Sequence, residues 1–359
     1  MMTQLTKCEL GLVKEIRQQL HRVPEPSGSE EKTKALIRAF ITAHTGLSCF
    51  DYGGGTCGLY TPPEEALEEA ICLRADFDAV SLPEGDAAHL CGHDGHTAAL
   101  LGVALFLERT RPGRRVLLMF QPSEETGEGA EAMAPLLKEY KITRIYGCHN
   151  LPGFPFGRVF TSLDTFACAS SGMTFAFTGK PAHAAYPEYG VSPAGAVAEF
   201  LAEVQAFNRE VPFGGGTFAT VVGCNMGQKA FGTAAERAEV WITMRSDTND
   251  NFMKLKAFLN SRSEAYAQQN GLTLSVMEQD AFPATENDET AARELLDRTG
   301  GELLTEPMRW SEDFGHYLNA CRGAFFGIGA GACPPLHTRE YEYPDELLSH
   351  QIRALIALL

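Results

Sequence analysis

The chain has 359 residues, too many for one small core, so two domains are expected. Its 44% apolar and 21% charged residues are those of a globular protein and exclude a disordered or fibrous one. A formal net charge of -16 repels phosphate backbones, so nucleic acid is not an expected partner. An anionic substrate would need a local positive centre, which bound metal ions can supply.

Ten cysteines are scattered with no CxxC pair, and most of them read as small buried hydrophobes of a reducing, cytoplasmic compartment. The opening MMTQLTKCELGLVKEIRQQL lacks the apolar stretch of a signal peptide. The longest apolar run, Ala98 to Leu107, has 10 residues and is too short for a bilayer, so no membrane partner is expected.

The first helix is expected from Cys8 to Arg22, stopped by Pro24 and Pro26. A second follows Ser29, with Glu30 and Glu31 in its first turn. Ile71 to Ala75 reads as a buried strand running into Asp76 and Asp78. Val116 to Phe120 reads as a strand running into Glu124 and Glu125, and Arg144 to Cys148 as one ending at His149. Helices over Thr97 to Leu107 and Ala130 to Lys138 alternate with them. The fold class is therefore α/β with a mostly parallel central sheet, and its polar residues gather at the C-terminal strand ends.

Beyond about Cys168 the pattern changes. A strand at Met173 to Thr178, a helix at Pro193 to Val204, strands at Phe218 to Cys224 and Ala238 to Arg245, and a helix at Asn251 to Gln269 give a β-α-β-β-α order. This reads as a separate α+β module inserted into the first. The expected division is 1–168 with 282–359, interrupted by 169–281. The chain returns with a helix at Asp288 to Thr299, a strand at Gly323 to Ile328, His337, and a last helix from Tyr343 to Leu359.

Cys91-Gly-His93 lies on a loop before a helix, a spacing that lets a thiolate and an imidazole face one metal. A buried cysteine beside a capping Asp94 accounts for the same letters. Adjacent Glu124 and Glu125 cannot both stay charged in a confined site without compensation. One could bind metal and the other act as a general base, although a solvated helix start also favours acids. His149 and His337, each alone, read as structural histidines. Together they argue for more, because strand ends of a parallel sheet converge on one edge.

LHRVPEPSGSEEKT, LRADFDAV, HLCGHDGHTAALLG, FQPSEETGEGA, CHNLP, GKPAHAAYPEYGVSP, SEDFGHYL and LHTREYEYPDE resemble, in order, the amidohydrolase branch of the peptidase M20 family. That branch holds aminoacylases, hippurate hydrolases, N-acetyldiaminopimelate deacetylases and auxin-conjugate hydrolases. The resemblance implies a two-metal catalytic domain interrupted by a lid that forms homodimers. It implies Cys91, His93, Glu125, His149 and His337 as metal ligands and Glu124 as the general base. It also implies His183 as a lid histidine reaching the partner's site. Asp76 or Asp78 would orient a ligand from behind. The two divalent ions would be zinc, favoured by cysteine, or manganese, nickel or cobalt. The reaction implied is hydrolysis of N-acyl, including N-acetyl, amino acids to a carboxylic acid and a free amino acid.

The same machinery would serve a dipeptidase or an aminobenzoyl-glutamate-type hydrolase. A cysteine hydrolase built on Cys91 leaves Glu124, Glu125 and His337 without roles, and a mere metal binder leaves the spare glutamate unused. The chain departs from the family twice. Its stretch from Asp78 to His89 is short, and Gly232 stands where the family has an asparagine that helps to bind the substrate carboxylate.

Overall fold

The first helix begins where its sequence can close it. Thr6 Oγ1 accepts from the Glu9 N–H (3.2 Å) and the Glu9 carboxylate accepts from the Thr6 N–H (2.6 Å), a reciprocal cap on Lys7–His21. Val13, Ile16 and Leu20 recur at helical spacing and bury one face. The computed structural model describes residues 4–63, 70–214 and 216–359. The chain divides into two compact units, Met1–Phe166 with Thr285–Pro307 and Glu312–Leu359, and Ala167–Ala284 with Met308–Ser311.

In the first unit an eight-stranded sheet runs Ser48–Tyr52, Gly55–Tyr60, Arg115–Gln121, Ala70–Asp76, Ile142–Pro152, Gly323–Gly331, Val159–Thr161, Glu302–Leu303. Its four central strands pair in parallel. All seven residues of Ala70–Asp76 are buried, as expected of a strand covered on both faces. The edge hairpin Ser48–Tyr60 is antiparallel and turns at Gly53 and Gly54, both at positive φ, where a side chain would be strained. Helix His93–Thr110 is buried without interruption from His93 to Leu107 and carries the long apolar run through the core. Among the described residues no helix is long and apolar enough to cross a membrane.

The second unit is a four-stranded antiparallel sheet in the order Phe218–Met226, Arg237–Ser246, Ala169–Thr178, Thr273–Phe282, with helices Ala194–Glu210 and Asn249–Gln269. Phe175, Phe177, Phe200, Val240, Ile242 and Leu259 belong to its core.

Three expectations change. The strand Thr273–Phe282 is absent from the expected elements, because most of its side chains are exposed and it shows no apolar alternation. The expected helix at Ala130 to Lys138 is two short ones, Gly129–Met133 and Pro135–Glu139, since Pro135 cannot continue the first. The last helix spans Leu348–Ala357 rather than starting at Tyr343. Pro344 is extended (ψ 117°) and a 3-10 turn at Asp345–Leu347 leads in.

Candidate metal centre

Parallel strands end together and place their successors together. Asp76 closes Ala70–Asp76, and Gln121 closes Arg115–Gln121 just before Glu124 and Glu125. His149 lies in Ile142–Pro152, opposite Gly327 of the neighbouring strand. Gly92 (φ 96°) caps the helix that opens at His93. A Cβ on Gly92 would run into Asn150 Oδ1 and Tyr341 OH, so only glycine lets the Cys91–His93 turn come so close. The His337 N–H donates to the Leu90 carbonyl (2.8 Å), tying its loop to the cysteine loop. Ser123 and His337 both hold positive φ, 54° and 61°, a strained state found where neighbours over-determine the backbone.

The side chains converge. Cys91 Sγ lies 3.3 Å from His149 Nε2 and 3.3 Å from His337 Nε2. His337 Nε2 is 3.5 Å from Glu125 Oε1. His93 Nε2 is 3.8 Å from Glu124 Oε2 and 3.9 Å from Glu125 Oε1. His93 Nδ1 lies 3.0 Å from the Asp78 carbonyl, and His149 Nδ1 lies 2.8 Å from the Asn150 carbonyl. A carbonyl can only accept, so both rings carry their proton on Nδ1 and turn the Nε2 lone pair inward. His93 Nε2 and Glu125 Oε1 are buried with no hydrogen-bond partner.

Both aspartates stand behind this group, in different roles. Asp78 is 3.2 Å from His93 Nδ1 and accepts from the Glu125 N–H (3.0 Å) and from Ser27 Oγ (2.7 Å). Asp76 Oδ2 stays 3.9 Å from His93 Nε2, while its Oδ1 pairs with His96 Nδ1 (2.7 Å). His96 Nε2 is in turn 2.6 Å from Asn150 Oδ1, so both nitrogens of that ring are engaged.

Sequence reasoning missed a second buried group. Arg74 is 1% exposed and donates to Gln121 Oε1 (2.7 Å), Asp76 (2.7 Å) and Asp313 (2.8 Å), with Glu312 at 2.9 Å. Asp313 also accepts from Gln121 Nε2 (2.7 Å) and the Ala130 N–H (2.9 Å). The carboxyl groups of Glu312 and Asp313 approach that of Glu124, with oxygens of all three within 4.8 Å of one another. The signal was an arginine inside an otherwise apolar strand, together with the acidic pair of the SEDF motif.

The electrostatics follow from crowding. Burial, then Glu312, Glu125 and Asp313, push the Glu124 carboxyl well above its usual range. Burial raises Glu312 to about 8 against the pull of Arg74. Burial also raises the Cys91 thiol. The neighbouring Cys91 and Glu125 lift His337 to about 10. Burial would lower His93, but Asp76, Cys91 and Asp78 outweigh it. The set calls for positive charge beyond Arg74. A thiol, three inward imidazole nitrogens and a carboxylate with an orphaned oxygen form a donor set that suits borderline divalent cations.

His183 and Gly232 belong to the second unit. His183 closes the two-residue strand Ala182–His183, paired with Thr233–Ala234. The Ala184 N–H donates to the Gly232 carbonyl (3.0 Å), so the two positions share one exposed turn.

A family model described as Peptidase family M20/M25/M40 matches residues 72–359. The chain belongs to that family. An N-acetyldiaminopimelate deacetylase of Lactococcus lactis subsp. cremoris (strain SK11) is 27% identical over 367 residues, covering 95% of this chain and 96% of the relative. An IAA-amino acid hydrolase of Arabidopsis thaliana is 28% identical over 364 residues, covering 93% and 82%. Among solved structures, a dinuclear metal-binding peptidase of the M20 family from Bacillus subtilis superimposes with a TM-score of 0.81 at 22% identity, covering 98% of each chain. An aminobenzoyl-glutamate utilization protein from Klebsiella pneumoniae gives 0.74 at 16% identity, covering 97% of this chain and 95% of that one. Both likenesses are of fold. As a member of the M20 family the chain is a hydrolase, and the donors above are its candidate metal-binding residues.

Proposed function

We propose that this M20 hydrolase cleaves the amide bond of N-acyl amino acids, releasing a carboxylic acid and a free amino acid. The observation that carries the reading is the division of labour between two adjacent glutamates. Glu125 turns an unpartnered oxygen toward Cys91, His93 and His337, while Glu124 lies against the acids Glu312 and Asp313. The names of the deacetylase and IAA-amino acid hydrolase relatives support the substrate class.

In this reading Cys91, His93, Glu125, His149 and His337 would hold two divalent cations, with Asp78 bracing His93 from behind. Such ions polarise a carbonyl and make water acidic enough to attack at neutral pH. Glu124 takes the proton of the attacking water and returns it to the leaving amine. Its crowded setting suits a group that must hold that proton between the two steps. His183 of a second copy in a homodimer donates to the developing oxyanion. Cysteine among the ligands favours zinc over manganese, nickel or cobalt. All ten cysteines are free, which supports a cytoplasmic setting.

The test reconstitutes the chain with each of the four ions. It then follows free amine release from N-acetyl and longer N-acyl amino acids, dipeptides and aminobenzoyl-glutamate. The expected result is turnover of N-acyl amino acids, abolished by a chelator and restored by a divalent ion. Turnover confined to dipeptides or aminobenzoyl-glutamate would move the assignment to those substrates. Chelator-resistant turnover would overturn the metal reading.

A further inference from the structure

A cavity of about 460 Å³ opens in the first unit, at the start of the strand Val159–Thr161. Its walls come from the loop after the His149-bearing strand, from the end of helix Glu289–Thr299 and from the last helix. They include Phe156, Arg158, Arg298, His350 and Arg353 and, among the described residues, no acidic one.

The three guanidinium groups are not equivalent. Arg158 pairs with Glu302 and Arg298 with Glu294 (2.7 Å), carboxylates that lie outside the lining. Among the described residues Arg353 has no carboxylate within 4.0 Å. One of its N–H groups donates to His350 Nδ1 (2.9 Å). His350 packs so closely on Gly157 that a Cβ there would clash with the ring, and the Phe156 ring stands edge-on to it at 5.3 Å. The imidazole thus engages one N–H of an exposed guanidinium whose other donors have no carboxylate partner among the described residues. An arginine with no carboxylate partner beside two paired ones suits the forked recognition of carboxylate or phosphate oxygens.

We propose that this cavity binds a compact anion bearing carboxylate or phosphate oxygens, with Arg353 as the principal contact and Arg158 and Arg298 as flanking ones. The site is separate from the candidate metal centre, whose donors are all absent from its lining.

The experiment titrates the metal-loaded chain at low ionic strength with inorganic phosphate and, separately, with succinate. Binding is read by calorimetry, with sodium chloride at matched ionic strength as the control. Saturable binding of about one anion per chain is expected for at least one probe, and the probe that binds identifies the oxygen chemistry. Arg353→Gln should weaken it at least ~10-fold, the loss expected for a hydrogen bond between charged groups. Arg298→Gln should weaken it less. His93→Ala should leave it intact. No saturable binding of either probe, or binding unchanged in Arg353→Gln, would overturn the proposal. Binding abolished by His93→Ala and retained in Arg353→Gln would place the anion on the metal centre and overturn it equally.

Discussion

Replacing Glu124 by glutamine separates chemistry from assembly at this centre. The substitution keeps shape and removes one negative charge and the ability to take a proton. Glu124 is 6% exposed, and the carboxyl groups of Glu312 and Asp313 crowd it, so its charge is unwelcome to the fold. Neutralising it should leave the melting temperature unchanged or raised. The loss of a general base is worth about a hundredfold to ten-thousandfold in rate, or roughly 3 to 5 kcal/mol of barrier. Glu125→Gln should behave in the opposite way. It weakens an inward oxygen that has no other partner and lies 3.5 Å from His337 Nε2. The assay is the initial rate on an N-acetyl amino acid together with elemental analysis of the dialysed protein. Glu124→Gln should keep about two ions per chain with kcat down at least ~100-fold. Glu125→Gln should lose metal first and recover activity with added ion. If the two variants lose metal alike, or Glu124→Gln retains a tenth of wild-type kcat, the assignment of base and ligand fails.

Three other outcomes are expected. Burial acts to raise the Asp94 carboxyl, but His89, the His21 hydrogen bond and Arg17 together bring it down to about 2. Its ionised form is therefore favoured by the fold, and about 2 to 3 kcal/mol of stability present above pH ~4 should disappear as the pH falls toward 2. Urea unfolding of wild type and Asp94→Asn should show a stability gap at pH 6 that narrows by pH 3, and a constant gap would refute this. Gly232 has open space where a Cβ would stand and no positive φ, so Gly232→Asn should fold normally. It should raise the kcat/KM preference for a free α-carboxylate over its amide by ~10-fold or more, through one added bond to a charged group. An unchanged ratio would remove position 232 from carboxylate recognition. Mixing inactive Glu124→Gln and His183→Ala chains should restore part of the activity if His183 works across a homodimer, and no recovery after verified subunit exchange would refute that.

The elements that carry the centre were legible because each combined an apolar run with a polar residue just past its end. Ile71 to Ala75, Val116 to Phe120 and Arg144 to Cys148 all lie within observed strands. Elements without such contrast stayed hidden. Thr273–Phe282 is exposed along most of its length, and the hairpin Ser48–Tyr60 mixes polar and apolar residues on short strands. Within the site, the family resemblance singled out Cys91, His93 and the two glutamates, but nothing in the sequence distinguishes Asp76 from Asp78. Only the fold shows that Asp78 holds His93 while Asp76 serves His96 and Arg74. The part played by Glu312 and Asp313 was invisible for the same reason, since Asp313 meets Arg74 from 239 residues away.

That meeting constrains how the chain can change over time. Arg74 is the shared counterion of Asp76, Glu312 and Asp313, all buried. Losing the arginine strands three acids in the interior. Breaking a buried ion pair from one side costs about 3 to 5 kcal/mol, a large share of the stability of an ordinary domain. A route from this charged set to an apolar one therefore runs through intermediates that scarcely fold. The four positions are therefore expected to be replaceable together more readily than one at a time.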